Sequence, residues 1–172
     1  MSRAADGAFR VAAALVAALR KLVAGLVIVF FSYMAIAVLV QIAGRYVFNY
    51  SIDWTAETAT FAQIWMILLA GGLAMRDRLH VSVDALTHVL PETVLRVLTI
   101  IITLPCLWFL GQAIAGSFAL IDIGRIQASP VLQIPMWIPY LSLPFGLAYF
   151  AFEFLLAMAE RWRDPSAERE TA

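Results

Sequence analysis

The chain alternates between long apolar runs and short polar clusters. Between Lys21 and Arg45 lie 23 residues without a charge, between Glu57 and Arg76 lie 18, between Arg96 and Asp122 lie 25, and between Arg125 and Glu153 lie 27. A helix needs roughly 20 apolar residues to cross a hydrocarbon core about 30 Å thick. Each run is therefore long enough to span. Helix is the expected form, because lipid offers no partner to backbone N–H and C=O groups, and the runs lack the alternation of a barrel strand. The pattern predicts an all-α membrane protein with spans at about residues 22–44, 54–75, 92–120 and 135–159, forming one membrane domain over residues 1–163. The polar stretch 164–172 reads as a disordered tail.

The segments between the runs add detail. Val11 to Leu19 is apolar but too short to span, and Arg20 and Lys21 follow at once. It fits an interfacial helix or an extension of the first span. Span 1 and span 2 are joined by only Arg45 to Asp53, so they form a hairpin, with Asp53 as the expected N-cap of span 2. Over residues 79–90, Leu79, Val83, Leu86 and Leu90 share one helical face while His80, Asp84, Thr87 and His88 share the other. That pattern predicts a short amphipathic helix on the cytoplasmic membrane surface. Pro91 opens span 3, which Pro105 should kink; Pro135 suits the first turn of span 4, which Pro139 and Pro144 should distort.

Charge sets the expected orientation. Ten of the twelve Lys and Arg residues fall before span 1, between spans 2 and 3, or after span 4, and only Arg45 and Arg125 fall on the other side. Basic residues favour the cytoplasmic side, so both termini are expected there. With 63% hydrophobic residues, 14% charged and a net charge of zero, nothing points to a soluble domain or to nucleic acid. Cys106 is the only cysteine and lies within a span, so no internal disulfide exists.

Few residues invite chemistry. His80, Asp84 and His88 have i, i+4, i+8 spacing, but the two histidines would stand about 12 Å apart along a helix. They read as the polar face of the interfacial helix rather than as ligands of one ion. Neither histidine lies within a span, which argues against haem, and no nucleophile–base pair or Gly-rich phosphate loop is visible. No catalytic residue, metal or cofactor is expected, and the chain does not read as an enzyme. Glu57 lies one turn inside span 2, within reach of Arg45 across the hairpin, and Glu153 lies about two turns inside span 4. An acid within a span is a functional candidate by default.

Three motifs together resemble one family. Arg45-Tyr46-Val47-Phe48-Asn49 followed by Trp54-Thr55-Ala56-Glu57, the run Arg76 to Leu86 with His80 and Val83-Asp84, and Ser129-Pro130 through Ile134-Pro135-Met136-Trp137 with Tyr140 and Pro144 are similar to the signatures of the DctQ family. These are the small membrane subunits of tripartite ATP-independent periplasmic (TRAP) transporters. The resemblance covers roughly residues 20 to 160. The family often has two consecutive acids after the tryptophan, and here Ala56 stands in the first place. The resemblance implies a non-catalytic scaffold in the cytoplasmic (inner) membrane of a bacterium or archaeon. It would brace a large multi-span subunit that imports an organic acid or similar solute on a sodium gradient, and help to dock a periplasmic substrate-binding protein. It marks Arg45, Trp54, Glu57, Arg76, His80, Asp84, Arg125, Pro130, Pro135, Trp137, Tyr140 and Pro144 as structural or interface candidates, among membrane lipids. The competing reading is a self-sufficient four-span proton-coupled transporter, which needs an acid deep within a span. A membrane enzyme or redox subunit is a third class, and it lacks site residues.

Overall fold

A computed structural model describes residues 3–50, 52–76 and 91–163 of the 172. The described residues are helical apart from short turns and one isolated bridge. Helix α1 is Arg3–Tyr46, α2 is Asp53–Arg76, α3 is Glu92–Gly124, α4 is the single turn Trp137–Tyr140 and α5 is Ser142–Arg163. Among the described residues, four stretches are long and apolar enough to cross a membrane: Arg10–Tyr46, Asp53–Met75, Thr93–Gly124 and Trp137–Glu160. The expected interfacial helix at 79–90, with His80 and Asp84, lies outside the described residues, as does the 164–172 tail.

The chain divides into two compact units, through Ala70 and from Gly71 onward. In the first, α1 is one continuous helix of 44 residues that runs straight through Arg20 and Lys21. Of the two readings of Val11 to Leu19, the structure holds an extension of the span. The hairpin turn begins with Val47 and Phe48 donating to the Ala43 carbonyl at 2.8 and 3.4 Å, and Tyr50 donating to Gly44 at 3.0 Å. Asn49 adopts φ 52°, the left-handed region that Asn tolerates better than most residues. Asp53 is the first residue of α2 rather than the residue before it. An acid in that first turn still complements the helix dipole. Thr55 bonds back to the Ile52 carbonyl at 2.6 Å. Further along the hairpin, Phe30 of α1 stacks on Trp65 of α2 with ring centroids 6.1 Å apart.

In the second unit, Pro91 precedes α3 with extended backbone, and its carbonyl accepts from Val94 and Leu95. Pro105 lies inside α3, which the chain continues to Gly124. Hydroxyls on this helix bond to their own helix: Thr99 to Leu95 at 2.8 Å, Thr103 to Thr99 at 2.6 Å and Ser117 to Ile114 at 2.6 Å. Such back-bonding lets a polar side chain sit among apolar neighbours with its donor satisfied. The core joins Met75 at the end of α2, Leu110 of α3 and Phe154 of α5, with Cys106, Leu107, Phe150 and Met158 packed around them.

The helical ladder of the fourth span is irregular around Leu141, between α4 and α5, although Leu141 keeps helical backbone at φ −58° and ψ −25° and donates to Trp137 at 3.0 Å. Proline explains the missing bonds. Pro144 has no N–H to give the Tyr140 carbonyl, and Pro139 has none for Pro135. Ser142, wholly buried, donates its hydroxyl to the Pro139 carbonyl at 2.6 Å.

Candidate functional site: the α3–α4 loop and the buried carboxylate of α5

The loop after α3 is built rather than loose. Met136 donates to the Gln127 carbonyl at 2.9 Å, Ser129 to Ile134 at 2.9 Å, and Ala128 and Pro135 form an antiparallel bridge. The Ser129 hydroxyl, wholly buried, accepts from the Ile134 N–H at 3.1 Å. Gln133 takes φ 54° and donates its side-chain amide to Pro130 at 3.1 Å. The base of the loop closes on Gly124. A Cβ there would lie 2.7 Å from the Trp137 nitrogen and 2.8 Å from Tyr140 Cδ2. Only glycine allows the α4 backbone to approach so closely.

Five sequence candidates thus meet on one element: Arg125, Pro130, Pro135, Trp137 and Tyr140. Arg125 is exposed, with Nε 3.8 Å from Asp122, a pair too open to add much stability. Ile126 and Val131 are exposed beside it. Pro144 sits apart, in the first turn of α5.

Arg45, Trp54 and Glu57 gather at the tip of the α1–α2 hairpin. Arg45 and Trp54 are exposed, while Glu57 is half-buried with Oε1 shut off from solvent. Tyr46, Phe48 and Tyr50 are exposed around the same turn. Gly44 is buried because a Cβ would press on Ile52 and the Tyr50 carbonyl at 3.1 Å. Arg76 ends α2.

The sequence singled out Glu153 but not its partner Tyr149, one turn earlier on the same helix. Glu153 is 1% exposed, and the Tyr149 hydroxyl donates to its Oε1 at 3.1 Å. Tyr149 packs onto Gly72, where a Cβ would fall 2.4 Å from ring carbon Cδ1. The Tyr-x-x-x-Glu spacing, one turn apart on a single helix face, was the available signal. Its burial was not readable, because that depends on Gly72, 77 positions earlier.

The family model described as "Tripartite ATP-independent periplasmic transporters, DctQ component" matches residues 34–164. The chain is 25% identical over 154 residues to the C4-dicarboxylate TRAP transporter small permease protein DctQ of Vibrio cholerae, covering 76% of this chain and 66% of that one. It is 27% identical over 104 residues to the protein of the same name from Rhodobacter capsulatus, covering 59% and 46%. Over 112 residues it is 33% identical to the isethionate TRAP transporter permease protein DctMQ of Oleidesulfovibrio alaskensis, covering 64% of this chain but 18% of that longer one. The chain thus spans about two thirds or less of each of these relatives. With a match over most of its length, and four apolar helices to go with it, the chain belongs to the DctQ family of TRAP transporter small membrane components.

Proposed function

We propose that this chain is the non-catalytic scaffold subunit of a sodium-gradient-driven TRAP transporter in the inner membrane. It braces the large multi-span subunit, helps to dock the periplasmic binding protein, and keeps both termini in the cytoplasm. The observation that carries the reading is the Oleidesulfovibrio relative, in which the part similar to this chain is 18% of one longer permease named DctMQ. A small component joined to a larger permease in one chain argues that the two work side by side. Relatives named for C4-dicarboxylate and isethionate, both small organic anions, support an organic acid or similar solute as the substrate class.

The described geometry suits a brace. Transport sites in membranes are commonly built from broken helices whose freed carbonyls face a ligand. The prolines of the fourth span only interrupt its ladder, since Leu141 stays helical, and the Pro139 carbonyl is already bonded by buried Ser142. The hydroxyls of α3 likewise bond within their own helix. The α3–α4 loop and the α1–α2 tip, each carrying turn hydrogen bonds and exposed aromatic or aliphatic side chains, are the surfaces proposed to face the binding protein. Arg45, Trp54, Arg125 and Trp137 lie on them.

Glu153 favours the second reading, a proton-coupled transporter acting alone, since it is an acid buried within the protein about two turns inside a span. Reconstitution into liposomes separates the two. Under a sodium gradient, uptake is expected only when this chain, the large subunit and the binding protein are all present. Uptake by this chain alone under a proton gradient, abolished by Glu153→Gln, would replace the scaffold with the transporter.

A further inference from the structure

Helix α1 carries two apolar seams of one period. The packed seam includes Val23, Val27, Phe30, Met34 and Ala37, none of them exposed. One residue back, or about 100° round the helix, lies a second. It runs Leu22, Leu26, Val29, Tyr33, Ile36 and Val40, at alternating steps of four and three, and every one is exposed. This is the 3.5-residue repeat with which one helix packs along another at a shallow left-handed crossing.

Within lipid an exposed apolar stripe is ordinary. What distinguishes this one is that it leaves the lipid. Arg20 and Lys21 mark the level at which the helix emerges, because buried charge is costly in hydrocarbon. A helix of 44 residues is about 66 Å long, against a core of about 30 Å. Beyond the basic pair the same repeat continues through Leu19 and Leu15, 40% and 66% exposed. Helix α1 continues past the basic pair without a break, so it carries Leu15 and Leu19 on beyond that level. Those leucines are therefore placed in water unless protein covers them, and such burial is favourable.

We infer that the Leu15–Val40 stripe of α1 is the seam along which a helix of the large transporter subunit packs, reaching past the membrane to cover Leu15 and Leu19. The inference rests on the scaffold reading above and names its contact surface. The large subunit is the chosen occupant over a second copy of this chain, because a relative holds its counterpart of this chain inside one larger permease. In lipid the seam adds close packing without hydrophobic drive. Outside it, the two leucines supply that drive.

The test uses the assembled complex purified through a tag on this chain. Leu15→Glu and Leu19→Glu lie before the Arg20–Lys21 pair, N-terminal to the apolar run 22–44. Each is expected to lower the co-purified large subunit about tenfold or more, as loss of a central apolar contact does. Ala17→Glu, exposed on the opposite side of the helix, is expected to leave it unchanged. Benzophenone side chains placed at 15, 19 and 22 are expected to cross-link to the large subunit, and those at 13 and 17 are not. Retention by both leucine variants, equal loss with Ala17→Glu, or adducts of twice this chain's mass would each overturn the seam while leaving the scaffold reading intact. Absence of the large subunit from the wild-type preparation would overturn the scaffold reading, and the seam with it.

Discussion

Replacing Gly72 by alanine tests the tightest contact between helices in the second unit. The new Cβ would stand 2.4 and 2.6 Å from Tyr149 Cδ1 and Cε1, and 3.4 Å from the Phe150 nitrogen. Ordinary contact between carbons is about 3.5–4.0 Å, so the ring must retreat by about 1 Å. It has little room, because Tyr149 is 7% exposed and its hydroxyl is held by Glu153, itself 1% exposed. The contacting atoms belong to the body of a rigid ring and cannot swing aside as a flexible chain end would. Overpacking of this kind costs about 1–3 kcal/mol. Pulling the hydroxyl from a buried carboxylate adds about 1–3 kcal/mol. Alanine returns about 1 kcal/mol through its better helix propensity. The expected net loss is about 1–5 kcal/mol, a fall in Tm of about 2–20 °C for a chain of this size. The measurement is thermal unfolding of the purified protein in detergent, in a double-mutant cycle with Tyr149→Leu. Against that smaller side chain, Gly72→Ala should cost little or even stabilise. An equal cost in both backgrounds would show that the ring is not the obstacle, and a neutral Gly72→Ala would refute the close approach itself.

Gly124→Ala should be at least as harmful, because its Cβ meets the Trp137 backbone at 2.7 Å; limited proteolysis should then cut within residues 125–136 faster than in the wild type. Glu57→Ala and Arg45→Ala should be non-additive in complex stability, by about 1 kcal/mol or less since Arg45 is exposed, and strictly additive losses would remove the pair. An alkaline phosphatase fused after Ala172 should be silent, as both termini are expected in the cytoplasm; strong activity would invert the topology.

The four long apolar helices were legible because a bilayer imposes its thickness on any chain that crosses it. The four uncharged runs could hardly be anything but helices, and the short hairpin left no choice but a turn. Pro139 and Pro144 announced a distorted fourth span through their missing N–H groups, and the structure puts the irregularity around Leu141, between them. The family was legible in three short motifs, because their order and spacing reflect local turns. The rest depended on residues far apart in the chain. Nothing near Glu153 tells that Gly72 admits Tyr149 and closes the carboxylate from solvent. Nothing near Ser129 tells that Gly124 lets α4 fold back onto α3 and bury the loop's polar groups. Whether Arg20 and Lys21 interrupt the first helix was likewise open, since both residues are good helix formers and mark a membrane boundary equally well in a bent helix or a straight one. Length and polarity are local properties, set by solvent acting residue by residue. Close packing is a property of pairs, and the sequence by itself does not say which pairs will meet.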